Sequence, residues 1–339
     1  DGLEPGDVLA VTVDGTLATN DYANGDNRGA FGIRSGSALV VNTGTIDVTG
    51  TFQGTNASLN DGAYGVRTGH GLATVVNTGT IQATVVDLNE GAGLQQAAGI
   101  WTGQDDNVIY QSGTITAAGT SAYSVIMGCK NDDGGGNMMF IMNGANMTGD
   151  ILNAADDEAA GLIFGMVRLA DGTADFGTYD DVWDFADNFG DDVVGDPANF
   201  ANVPVDPNFN FVFEGDIAGV NDGWYAAFLG GETHLRGAND FVGVLIGPEA
   251  TVYANFTAPD GIGLYGTLAP GNSIGWVETA DFYAAPGSTL QLEFTGTEID
   301  EIRITAGGDA YFAEGARLHF IPMGLFDGTQ KFAFLQLGA

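Results

Sequence analysis

Basic residues are nearly missing from this chain: Lys130 and Lys331 are its two lysines, and with the arginines they make nine cations against 44 acidic residues. The formal net charge is −35 at pH 7. A field of that sign repels phosphate backbones and anionic headgroups, which sets nucleic acid and membrane surfaces aside as partners. Cysteine is equally scarce. Cys129 stands alone, so there is no disulfide framework, and a lone thiol of this kind reads as a small buried apolar side chain. No run of about 18 apolar residues occurs, so this segment carries no membrane-spanning helix. The chain opens Asp1-Gly2-Leu3-Glu4 with no basic stretch and no apolar stretch behind it, so either it is cytosolic or a leader has already been removed, and the composition favours the second. His70, His234 and His319 lack the H-x-x-x-H or H-x-H spacing that a zinc site requires.

What is present is glycine, 54 residues of it, and 44% hydrophobic side chains, enough to bury a continuous core. The first half repeats. Ala30-Phe31-Gly32-Ile33 returns as Ala63-Tyr64-Gly65-Val66, as Ala97-Ala98-Gly99-Ile100 and as Ala122-Tyr123-Ser124-Val125. A second motif follows each copy: Asn42-Thr43-Gly44-Thr45-Ile46, Asn77-Thr78-Gly79-Thr80-Ile81, Gln111-Ser112-Gly113-Thr114-Ile115, and a decayed version ending at Met147. Its last position recurs at steps of 35, 34 and 32 residues (46 to 81 to 115 to 147), a solenoid period. Between the glycine and asparagine turns lie short β-branched runs such as Ala38–Val41 and Ala73–Val76, with no helical stripe.

The expectation is an all-β parallel solenoid whose coils stack at about 4.8 Å per rung. Ile46, Ile81, Ile115 and Met147 then become vertical neighbours inside it. Asn42 and Asn77 either bond along the stack or serve as turn residues. Phe31, Tyr64 and Tyr123 share a register too, as packing or as a platform for sugar rings. Regularity lapses later. Residues 152–162 are expected to form one or two helical turns. Residues 171–215 read as an acidic, aromatic insertion, with Val182, Phe185 and Phe189 at helical spacing. It either protrudes to carry function or folds down as a lid holding Trp183 and Phe185 inward. The organisation is therefore repeats over 1–170, insertion over 171–215, and further coils over 216–339.

Calcium is the one cofactor the acidity suggests, through Asp105, Asp106, Asp132, Asp133, Asp156 and Asp157. None of these sits in a D-x-[DN]-x-[DN]-G loop or a GGxGxD repeat. Two glycine motifs mimic enzymes. Gly271-Asn272-Ser273-Ile274-Gly275 satisfies G-x-S-x-G, but a nucleophile elbow needs a helix next, and the following residues look strand-like up to Pro286. Gly261–Gly266 satisfies G-x-G-x-x-G, but Pro270 stops any helix from opening there. No catalytic constellation emerges, although paired carboxylates meeting across coils would suit glycoside cleavage.

Leu264–Gly275, ending in Pro270-Gly271-Asn272-Ser273-Ile274-Gly275, resembles the G-T-L-x-P-G-N-S-I-G segment of bacterial autotransporter passengers. Tyr283–Glu293, Ile299–Thr305 and Ala310–Leu318 follow in that family's order, and the similarity covers about residues 235–339. The resemblance implies a single-stranded, right-handed parallel β-helix exported by type V secretion. It implies an autochaperone-like segment over about 262–339 that nucleates folding, and a translocator barrel in the full-length protein after Ala339. It also implies an extracellular or outer-membrane location. The function expected is a structural or adhesive rod that meets a host surface, a glycan or neighbouring copies of itself. The alternative is a β-helix polysaccharide lyase or glycoside hydrolase.

Overall fold

The computed structural model describes residues 9–23, 29–52, 62–69, 72–87, 96–103, 106–128, 136–155, 160–180, 182, 185, 202–219, 223–324 and 331–338. Within these, every pairing between strands is parallel, each strand bonding to its counterpart in the next coil. The protein is a parallel β-helix. Its longest sheet runs from Leu9–Val13 through Ala38–Asn42, Ala73–Asn77, Val108–Gln111, Met138–Ile141 and Ala160–Phe164 to Trp224–Leu235, Gly243–Ala254, Gly261–Leu264, Phe282–Ala284 and Ala310–Phe312. Along those eleven strands the register lines up Val11, Val40, Val75, Ile109, Met139, Leu162, Ala226, Val244, Ile262, Phe282 and Ala310. This column is the spine of the core. Ten rung spacings give a stack about 50 Å long.

Local sequence explains the coil. Thr45–Phe52 alternates between half-buried and buried positions, as a strand with one face in a core must. Ile46, Ile81, Ile115 and Met147 are consecutive partners in a second sheet, the first three fully buried and Met147 nearly so. The turn before each has a specific construction. Thr78 and Gly79 both donate their N–H to Asn42 O, and Ser112 and Gly113 do the same to Asn77 O, so each turn is clamped to the one beneath. A Cβ on Gly79 would sit inside contact distance of Gly44 O, and one on Gly113 inside that of Gly79 O. Glycine recurs in this motif because successive turns press backbone on backbone.

Asn42 and Asn77 form a polar ladder. Asn42 Nδ2 donates to Asn77 Oδ1 at 2.8 Å, and Asn77 Nδ2 donates to Gln111 Oε1 at 2.9 Å. The same amides reach Thr80 O and Thr114 O in the turn that follows. All three side chains are fully buried. Their hydrogen bonds offset part of the cost of removing three amides from water, with Asn42 Oδ1 left without a partner among the described residues.

The described residues of 152–162 do not form the expected helix. Asp150–Asn153 is a strand paired with Tyr123–Met127, and Ala160–Phe164 is a strand paired with Met138–Ile141. The helix preference of alanine and leucine amounts to only tenths of a kcal/mol per residue, and ladder bonds, with burial on both faces at Ala160–Phe164, outweigh it. Residues 156–159, and with them Asp156 and Asp157, lie outside the described residues.

The insertion leaves the coil beside Gly165 and rejoins it at Asp206. Val167 donates to Pro204 O, and Asp206 donates to Gly165 O. Asn210–Phe213 is already a coil strand, paired with Glu232–Leu235. The described part of the insertion folds down as a lid. Ala174, Phe176, Tyr179, Val182, Phe185, Val203 and Val205 pack on the outer face of the long sheet, against Tyr110, Met138, Phe140 and Ile163. That face is apolar because Met138–Ile141 and Ala160–Phe164 are buried along their whole length, the mark of a strand covered on both sides. Val182 and Phe185 have helical backbone, as their spacing suggested, while Trp183 and Phe189 lie outside the described residues.

Candidate functional site

The outer face of a third sheet, Ala30–Ser35, Gly62–Thr68, Gln96–Trp101, Ser121–Met127, Asp150–Asn153 and Ile217–Gly219, carries a different chemistry. Its register stacks Phe31 on Tyr64, then Ala98, then Tyr123, with Arg34 on Arg67 and then Trp101 in a neighbouring column. Phe31 and Tyr64 lie parallel with ring centroids 5.4 Å apart, and Trp101 tilts against Tyr64 at 5.3 Å. Tyr64 is fully buried by these neighbours, so at that position the aromatic column is packing.

The arginines sit over the rings. The Arg34 guanidinium sits 4.8 Å from the Phe31 centroid; that of Arg67 sits 4.2 Å from Trp101 and 4.9 Å from Tyr64. Among the described residues neither meets a carboxylate, whereas Arg236 pairs with Glu214 and Arg303 with Glu301. Burial of Arg67 lowers its pKa, Tyr64 opposes that, and the positive charge of Arg34 adds to the lowering. Beside the pair opens a groove of about 590 Å³ that also includes Gly36, Gly69, Gly103 and Thr68. Thr68 Oγ1 is buried without a hydrogen-bond partner among the described residues.

Sequence reasoning missed this site, although a signal was there. Extending the first repeat motif by three positions gives Ile33-Arg34-Ser35-Gly36, Val66-Arg67-Thr68-Gly69 and Ile100-Trp101-Thr102-Gly103, a recurrent bulky or basic residue, a small hydroxyl and a glycine.

The residues singled out in advance fall elsewhere. Asp106 is exposed, with a left-handed backbone at φ 56°. Asp105, Asp132, Asp133 and Cys129 lie outside the described residues. No group of three or more His, Cys, Asp or Glu side chains converges as a metal site among the described residues.

Pro270 ends the strand Thr267–Pro270, and Gly271 to Gly275 make the corner before Trp276–Thr279, which is a strand where a nucleophile elbow would need a helix. Gly271 has φ 79°, and Gly275 sits so close to it that neither accepts a side chain. Asn272 and Ser273 are exposed. Asn272 Nδ2 donates to Leu235 O at 2.9 Å, which ties the corner to an earlier coil.

Asp300 holds that corner from inside. Its carboxylate is fully buried and accepts from Gly275 N at 2.7 Å and from Glu293 N at 2.6 Å. Burial pushes its pKa up to about 6; the two N–H bonds oppose that rise and nearby Glu293 adds to it. Because the folded-state pKa lies above the ordinary carboxylate value, the stability this group contributes is full at low pH and is lost as pH rises through about 6. The wild type is therefore expected to gain about 2 kcal/mol over Asp300→Asn between about pH 7 and about pH 4.5, read from paired denaturant titrations. A difference that stays flat over that range would show that the carboxyl does not titrate there.

No family model, curated protein or solved structure matches the chain.

Proposed function

We propose that this chain is the passenger segment of a bacterial autotransporter, a structural and adhesive rod displayed on or released from the cell surface. The observation that carries the reading is the eleven-strand column from Val11 to Ala310, an uninterrupted stack that includes the coils of the Pro270–Gly275 motif. A solenoid of this kind holds long lateral faces rigid along their whole length, which suits display better than chemistry in an enclosed pocket. The surrounding acidity keeps such a surface hydrated and dispersed.

Two measurements test the proposal together. Antibody against the chain is expected to label intact cells of the producing bacterium, or to recover the chain from their medium. Beads carrying the purified chain are expected to be retained on glycan-coated surfaces above beads carrying an unrelated acidic solenoid. Labelling that appears only after lysis would overturn the export reading, and equal retention of the two bead types would overturn adhesion.

A further inference from the structure

We propose that the groove beside Arg34, Arg67 and Trp101 binds a carboxylate-bearing saccharide, a uronic acid unit of an acidic polysaccharide. This rests on the adhesive reading above and names the chemistry of its contact.

The first argument is electrostatic. Arg34 and Arg67 occupy the same position of adjacent coils, and both guanidinium groups lie over the Phe31 ring, 4.8 and 5.7 Å from its centroid, so two like charges share one aromatic side chain. In a chain with 44 acidic residues, a compensating Asp or Glu beside them would be easy to supply, yet none meets either guanidinium among the described residues. A bound anion relieves that repulsion.

The second argument is geometric. A guanidinium seated over an aromatic ring has one side occupied and still presents N–H groups away from it, and its planar fork matches a carboxylate bidentately. Stacking also fixes the rotamers in advance, which reduces the entropy lost on binding.

The third argument identifies the framework that carries the carboxylate. At about 590 Å³ the groove lies in the range of small-ligand sites. At Gly36 an added Cβ would meet open space, so backbone is exposed there to hydroxyl groups. The chain's net charge of −35 repels a densely charged polymer such as nucleic acid. An occupant with a single carboxylate on each hydroxyl-rich ring satisfies the local positive pair while meeting the surrounding negative field at a lower charge density than nucleic acid.

The test is calorimetric titration of the whole chain with trigalacturonate, its methyl ester and triglutamate at low salt. Trigalacturonate is expected to bind, and the uncharged ester and the peptide to bind at least about tenfold more weakly. Arg67→Gln is expected to weaken trigalacturonate by about tenfold or more, and Arg67→Lys by a smaller factor because it keeps the charge and loses the fork. Arg34 is exposed, so Arg34→Gln serves as the variant least able to disturb folding, with circular dichroism confirming the strand signal. Equal binding of the ester or the peptide, or no change on replacing either arginine, would overturn the assignment. Surface labelling is unaffected by these arginines, so failure of the saccharide site leaves a different signature from failure of the display reading.

Discussion

Phe140→Ala is expected to destabilise the protein by about 3–5 kcal/mol, with a loss of cover as well as of core. Phe140 is fully buried in the outer apolar cluster. It stacks on Tyr110 at 5.2 Å, meets Phe176 edge-on at 5.3 Å and lies 6.0 Å from Phe185. Tyr110 belongs to the adjacent coil, whereas Phe176 and Phe185 belong to the lid, so one ring fastens both. Truncation leaves a cavity between two layers that cannot close without moving backbone. Phe185→Ala removes only the lid's side of that contact. Its expected signature is therefore faster hydrogen exchange and easier proteolysis within 165–206, with the strand signal kept. Phe140→Ala is expected to lower the global denaturation midpoint as well. Equal effects of the two substitutions on the midpoint would show that the lid is not a separable layer.

The second large effect is at Asn77. Asn77→Asp is expected to cost about 4 kcal/mol at about pH 8 and much less near about pH 5. The site is fully buried, the neighbouring amides are those of Asn42 and Gln111, and no guanidinium or ammonium is among the bonded partners. Aspartate there must either hold an uncompensated charge or take up a proton, and only the protonated form can replace the donor that Gln111 Oε1 receives from Asn77. Asn77→Leu makes a useful contrast. It orphans Gln111 Oε1 and removes the acceptor of Asn42 Nδ2, which keeps its bond to Thr80 O. The expected loss is about 1–3 kcal/mol and does not vary with pH. Chemical denaturation at the two pH values separates the outcomes, and a pH-independent Asn77→Asp would refute the account of a dry ladder.

Much of the coil was legible because its period is long and its side chains are few in kind. Once Ile46, Ile81 and Ile115 recur at one coil length, stacking them is the only way such short strands can bury an apolar side. The Asn42 to Asn77 contact follows from the same arithmetic, although the choice between ladder and turn residue needed the observed amide bond. Where period failed, so did the reading. Residues 152–162 look helical by composition, yet partners at Tyr123–Met127 and Met138–Ile141 make strands of the described ends, 152–153 and 160–162, and such partners are not visible in a local window.

The Arg34, Arg67 and Trp101 row shows the limit from the other side. The repeat places these residues one above another, and that much could have been read by extending the motif. That the Arg67 guanidinium sits over the Trp101 ring, that no carboxylate meets the arginines among the described residues, and that a groove opens beside them depend on side-chain direction and on distant segments.

By itself, then, the sequence determined the parallel stack, the interior column and the glycine turns, since these follow from periodic burial and from the close approach of identical backbones. Tertiary structure alone decided that the long sheet has an apolar outer face roofed by the insertion, that Asp300 is locked inside the Gly271–Gly275 corner, and that one lateral face holds two arginines that meet no carboxylate among the described residues. Burial and charge pairing are properties of neighbours brought together from many coils away, and no local pattern encodes who those neighbours will be.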